Sequence, residues 1–226
     1  MIINDSSLPF ETLWDGALEP GAGVYAATRG GDESPSLRFG KPHWWNQQNI
    51  MGDKLITPAN GARYGLARFV FAVRPQKNPE VKRVELTVHL HAKGAGARPI
   101  VFDLLPKTTT VEQSGKASVG IDPKFKFVAI EASGIPKAEV AIDIKQAKVV
   151  IEAEGTGQSQ ARWLFESHAT RPLVGDTSVY VIVELPPGVD AARATMHLRA
   201  EVKSRFKVAS YFVPEEERER LSVVLE

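Results

Sequence analysis

The chain contains no cysteine. Disulfides, thiolate nucleophiles and zinc sites built on sulfur are therefore excluded. Neither sign of charge is in excess: 28 Lys and Arg stand against 27 Asp and Glu, a formal net charge of +1. Proteins that grip nucleic acid by its phosphates carry a clear basic surplus, so nucleic acid is not expected as a partner. The same balance argues against electrostatic attachment to an anionic membrane. No run approaches the roughly 20 apolar residues of a spanning helix, and the first residues, Met1-Ile2-Ile3-Asn4-Asp5, lack the cationic end and apolar stretch of a secretory signal. These absences lead to the expectation of a soluble, cytoplasmic protein with no membrane contact. Gly94-Ala95-Gly96 and Gly155-Thr156-Gly157 are too short to cradle a phosphate and follow no strand-to-helix pattern. No serine sits in a nucleophile-elbow context. No catalytic residue and no cofactor are expected.

What is present is a pattern of strands. A chain of 226 residues with 43% hydrophobic content is long enough to bury a core without a staple. Residues 1–40 are rich in Gly, Pro, Asp and Ser; Leu8 to Leu18 reads as a short strand or irregular arm, and Val24 to Thr28 as the first plausible strand. Leu66 to Val73 is a continuous apolar run. Val84 to Ala92 alternates, with Leu86, Val88 and Leu90 on one face and Glu85, Thr87, His89 and His91 on the other. A period of two marks a half-buried strand. Further strands are expected at 100–105, 126–132, 140–144, 148–153, 162–165, 178–184, 194–201 and 207–213. Around Lys124 and Lys126 the alternation with Phe125 and Phe127 reads as an ordinary strand. Trp163 and Phe165 alternate and read as core. Pro214 followed by Glu215, Glu216 and Glu217 suits the start of a short helix, where acidic residues meet the positive end of the dipole.

The chain also resembles itself. Val81 to Pro106 aligns without a gap on Val189 to Pro214, so that Thr87-Val88-His89-Leu90 falls on Thr195-Met196-His197-Leu198. Phe69 to Val73 similarly matches Val179 to Val183. Each half runs Trp, apolar strand, proline turn, Thr-x-His-Leu strand, apolar strand, proline. The fold expected is all-β: two related antiparallel β-sandwich units in tandem, an internal duplication, with a short C-terminal helix. The first unit, with an irregular N-terminal arm, would span 1–112 and the second 113–226, the seam lying in the polar stretch between about 107 and 122.

Two clusters offer function. The matched outer faces present Glu85, Thr87, His89 and His91, and Arg193, Thr195, His197 and Arg199, which are interface candidates for another protein or a second copy of the chain. His43-Trp44-Trp45-Asn46 is the most aromatic spot; an outward indole beside amide groups could stack on a sugar ring. His89-Leu90-His91 puts two imidazoles on one strand face, a spacing that can chelate a metal. A duplicated β protein with that pair resembles the two-domain cupins at those residues alone. The resemblance would imply a metal-dependent enzyme, but His197-Leu198-Arg199 lacks one ligand, and third ligands could come only from distant His43, Asp103 or Glu131. The leading expectation is a non-catalytic interaction protein, an adaptor or assembly subunit. A carbohydrate-binding module using exposed Trp, with a small glycan as ligand, and a cupin-like enzyme stand behind it.

Overall fold

The computed structural model describes residues 2–4, 8–21, 34–46, 61–74, 80–93, 97–106, 124–130, 136–143, 149–167, 172–203 and 208–226. The candidate strand at Val24 to Thr28 and the seam at 107–122 lie outside these residues. The described strands are β1 (Ile2–Asn4), β2 (Thr12–Ala17), β3 (Glu19–Pro20), β4 (Ser36–Gly40), β5 (His43–Asn46), β6 (Arg63–Arg74), β7 (Glu80–Ala92) and β8 (Ile100–Leu105). They continue with β9 (Lys124–Ile130), β10 (Pro136–Asp143), β11 (Val149–Glu154), β12 (Gln160–Glu166), β13 (Gly175–Leu185), β14 (Ala192–Lys203), β15 (Val208–Phe212) and β16 (Ser222–Leu225). One 3-10 helix, η1 (Glu215–Leu221), precedes the last strand. The fold is all-β with antiparallel sheets and a short C-terminal helix, as the alternation and the Pro214 signal lead one to expect.

Three sheets form. A six-stranded sheet runs β2-β4-β6-β13-β8, with β5 also on β6. A seven-stranded sheet runs β11-β12-β7-β14-β15-β3, with β16 also on β14. A separate three-stranded sheet runs β1-β10-β9. The first two share one apolar core. Ala67, Phe69, Phe71 and Val73 of β6 and Val179, Val181 and Val183 of β13 meet Leu86, Val88 and Leu90 of β7 and Ala194, Met196 and Leu198 of β14. The Phe71 and Phe165 rings cross between the sheets edge to face, centroids 5.5 Å apart, a contact worth about 0.5–1.5 kcal/mol beyond its buried area. Trp163 and Phe165 are wholly buried, and the Trp163 indole N–H donates to the Pro106 carbonyl at 3.1 Å, so its polar atom is satisfied inside the core.

The matched segments pair with each other. In the β7–β14 ladder Val88 stands opposite Met196, its own counterpart in the sequence alignment, while Thr87 faces His197 and His89 faces Thr195. In β6–β13, Phe69 likewise stands opposite its counterpart Val179. A ladder in which a residue faces its own equivalent has the register of a local two-fold. Strands from 1–112 and from 113–226 thus meet in both large sheets. The correspondence stops at the next strand, because β8 joins β13 whereas β15 joins β14.

Burial along β14 alternates from end to end, and along β6 every residue from Gly65 to Val73 is buried, on both faces. Period two is kept where one face meets water and lost in the central strand. Helix η1 carries Glu215, Glu216 and Glu217 in its first turn and Arg218 and Arg220 in its last, in accord with its dipole. Buried Leu221 pins it, and the Trp14 indole N–H donates to Glu217 Oε2 at 3.1 Å, joining it to the six-stranded sheet.

Two substitutions probe this packing. A Cβ at Gly65 would lie 2.0 Å from the Trp44 ring, so Gly65→Ala must displace the indole and is expected to cost about 1–3 kcal/mol. Met196→Ala, at the centre of the two-fold register, should cost about 2–5 kcal/mol. Urea unfolding followed by tryptophan fluorescence measures both, and an unchanged midpoint for Gly65→Ala would show that the indole does not sit against that backbone.

Candidate functional site

The eight outward residues proposed from the alternation come together on one surface. β7 and β14 are neighbours, so Glu85, Thr87, His89 and His91 lie alongside Arg199, His197, Thr195 and Arg193 on the outer face of the seven-stranded sheet. His89 is the hub. Its ring lies 6.4 Å from His91, nearly parallel, and 5.2 Å from His197, edge to face. Thr195 stands directly opposite His89 and Arg193 directly opposite His91. The Thr195 hydroxyl is 3.1 Å from the Ser222 hydroxyl of β16.

Electrostatics on this face are one-sided. The His89 pKa is lowered by burial and then by the neighbouring His91. The His197 pKa is lowered by burial, then by His89, by Arg218 of η1 and by His91. No carboxylate raises either. Nearby carboxylates face other cations: Glu85 accepts from Arg162 at 3.0 Å, Glu201 from Arg199 at 2.9 Å, and Glu226 from Lys93 at 3.2 Å. Arg162 collects Glu85, Glu152 and Glu154 together, and its pKa is raised, first by the hydrogen bond to Glu154. Among the described residues no three His, Asp or Glu side chains converge to hold a metal ion. His89 and His91 thus have no third ligand: His43 and Asp103 belong to the other large sheet, and Glu131 lies outside the described residues.

The aromatic tetrad occupies β5. Trp44 packs toward the core and covers Gly65, whereas Trp45 points the other way and stacks on His43, with centroids 5.9 Å apart. Both indoles are half-buried; Asn46 is exposed. His43 stands opposite buried Arg68, which with burial itself lowers the His43 pKa, burial being the larger cause and Glu11 opposing. Trp44 and Trp45 each keep part of their surface open, on opposite sides of β5.

Several residues went unnoticed in the sequence. Arg162 sits between Ala161 and Trp163, and the same alternation that buries Trp163 and Phe165 aims it outward. Trp14 lies in a stretch read as an arm; with Thr12, Asp15, Glu216 and Arg220 it lines a cleft of about 360 Å³ between β2 and η1. Arg68 sits within an apolar run and carries no period signal of its own.

The third sheet is not hydrogen-bonded to the other two. β9 and β10 form an antiparallel hairpin in which Phe125 is opposite Ile142, Phe127 opposite Val140 and Lys124 opposite Asp143. β1 pairs in parallel with β10.

No family model and no curated protein matches the chain. Among solved structures it is similar to one described as a pore forming protein, at 6% identity and TM-score 0.38, over 84% of this chain and 89% of that one. It is also similar to Clostridium perfringens delta-toxin, at 7% identity and TM-score 0.30, over 84% and 88% of the two chains. A third is the Clostridium perfringens NetB toxin in its membrane-inserted form, at 8% identity and TM-score 0.29, over 87% and 84%. Overlaps this loose carry no argument for pore formation by this chain.

What overturns the expectation of a cytoplasmic, soluble adaptor without membrane contact is the description of two of these solved structures, one a pore forming protein and one a toxin in its membrane-inserted form. That expectation, with its alternatives of a sugar-binding module and a cupin-like enzyme, is corrected and not retained. Its physical weakness is visible. The lack of a long apolar helix is a fact of the described residues, but strands cross bilayers with alternating residues that no hydropathy window detects. Net charge near zero sums over surfaces that differ.

The lowered histidine pKa values have a consequence for stability. The unfolded chain takes up protons as the pH falls through about 6.5, before the folded His43, His89 and His197 do. Stability is therefore full above that pH and declines on acidification until the folded imidazoles also charge. The melting temperature should fall between about pH 7.5 and pH 5.5. His197→Gln should flatten that fall, and a slope identical to that of the parent would remove His197 from the account.

Proposed function

We propose that the protein acts on lipid membranes through the β9–β10 hairpin. The observation that carries this reading is the register of the hairpin combined with its alternation. Positions 125, 127, 140 and 142, which are Phe, Phe, Val and Ile, fall on one face, because residues opposite each other in a ladder share a face. Lys124, Lys126, Val128, Glu139, Ala141 and Asp143 fall at the alternate positions. This two-faced ribbon belongs to neither large sheet.

The described strands are a little short of a bilayer crossing. β9 has seven residues and β10 eight, where a tilted membrane β-strand needs about 9–11. Backbone N–H and C=O groups at open sheet edges cannot remain unpaired in hydrocarbon. A single hairpin therefore lies at the interface, and crossing requires several copies to close a barrel edge to edge.

Because the chain lacks cysteine, single-cysteine variants can be labelled cleanly. Cysteines placed in turn at 124, 125, 126 and 127 and labelled with an environment-sensitive dye should respond alternately on adding phosphatidylcholine vesicles, with and without phosphatidylglycerol. Blue shifts are expected at 125 and 127 and little change at 124 and 126. Phe127→Asp should abolish vesicle binding and any release of trapped dye. A response with no period of two, or none at any position, would end the proposal.

A further inference from the structure

We propose that the outer face of the seven-stranded sheet is a proton-coupled binding site for a sulfate- or phosphate-class oxyanion, formed by protonated His89, His91 and His197 with the Arg193 guanidinium. The site is separate from the hairpin and does not depend on the membrane reading.

The geometry is that of a cluster of basic side chains on one sheet face. His89 sits at its centre, flanked by His91 along the same strand and by His197 diagonally across the ladder, at 6.4 and 5.2 Å between centroids. Directly opposed residues of a ladder have Cβ atoms about 5 Å apart, so Arg193 closes the side beside exposed His91. Thr195, opposite His89, adds a hydroxyl already tied to Ser222. A tetrahedral oxyanion over His89 would meet imidazole N–H, guanidinium and hydroxyl donors together, and charge-assisted hydrogen bonds are the strong ones.

Among the described residues the face lacks the counter-charge that a cluster of cations would otherwise need. On β7, Glu85 is held by Arg162 of β12, itself outward, and Arg83 pairs with Glu166. On β14, Arg199 and Glu201 pair with each other. From η1, Arg218 reaches Glu215 at 3.6 Å and adds positive potential at His197. β16 contributes Ser222 and Val224 opposite Thr195 and Arg193 and no charge. At the strand end Lys93 and Glu226 neutralise each other. Arg193 has no carboxylate among the described residues. His89 and His197, pushed toward the neutral form by burial and by the basic groups beside them, charge only at a cost that a bound anion offsets. Linkage then requires anion affinity to rise as the pH falls and anion binding to draw protons onto the histidines.

Sulfate is the decisive probe because its own charge does not change between about pH 7.5 and pH 5.5. Titration calorimetry of the full chain, at ionic strength held constant with chloride, should show sulfate binding at least tenfold more tightly at the lower pH. His91→Gln and Arg193→Gln should each weaken it about fivefold or more. Lys203→Gln, an exposed cation at the far end of the same strand, should leave it unchanged. In parallel, the ring-proton NMR signals of the five histidines should report pKa values for His89 and His197 that rise on adding sulfate to the unaltered protein, a readout independent of whether the variants fold. Inorganic phosphate and phosphatidic acid vesicles, the latter tested with Phe127→Asp to silence the hairpin, separate a free ion from a lipid headgroup as the source. Binding by vesicles alone keeps the oxyanion chemistry and assigns it to a headgroup. Sulfate affinity independent of pH, or indifferent to both variants, with no histidine pKa moved, would overturn the proposal.

Discussion

The antiparallel ladder between β7 and β14 constrains the rest of the molecule. With Val88 opposite Met196, the residues Leu86, Leu90, Ala194 and Leu198 all face inward. A slip of one residue would turn that set out to water and bring His89, His91 and His197 into the core. The hydrophobic penalty for such a slip runs to several side chains at about 1.5–3 kcal/mol each. The core and the histidine face are therefore one decision, taken on two sides of the same ribbon. The β6–β13 ladder, with Phe69 opposite Val179, repeats it in the facing sheet. Phe71 and Phe165 then lock the two sheets together.

Much of this was legible in the residues. Strand β8 has the bounds that its apolar run implies, and the alternation from Val84 to Ala92 places each residue on the face that it occupies. Trp163 and Phe165 are core, as their spacing requires. Less visible were β2, β4, β5 and β16. Each is only four to six residues long, too short for a period to stand out beside Gly and Pro, and each is held by a neighbour distant in sequence. Such strands are specified by their partner's open edge more than by their own composition. The self-similarity was legible too, but not its meaning for strand pairing. Two similar strands can each build a sheet or build one together, and only the long-range register distinguishes these.

The candidate site divides in the same way. Eight outward residues could be named because alternation is local, yet their convergence depends on β7 and β14 being neighbours. Trp44 and Trp45 could not be sorted from sequence, because which of two adjacent residues turns inward depends on the phase of β5 against β6. Gly65 settles that phase: its missing side chain leaves the space that the Trp44 ring fills. Arg162 escaped notice because a lone arginine between core aromatics has no motif, although its three carboxylate neighbours make it the most heavily paired cation on that face.

Charge shows why a sum misleads where a surface decides. A total of +1 argues against nucleic acid and an anionic membrane as partners, yet opposite charges are not evenly mixed. Glu152, Glu154 and Glu85 gather around Arg162 at one side of the seven-stranded sheet, and the histidines of β7 and β14 gather with Arg193 of β14 and Arg218 of η1. Screening over about 10 Å in ordinary salt lets a ligand feel its own few neighbours and little of the far side. Histidine makes the total still less informative, because it is counted as neutral at pH 7 while three of the five lie within one patch. Their charge is conditional on pH and on what binds, so the potential of this face is a variable of its surroundings and not a constant of the composition.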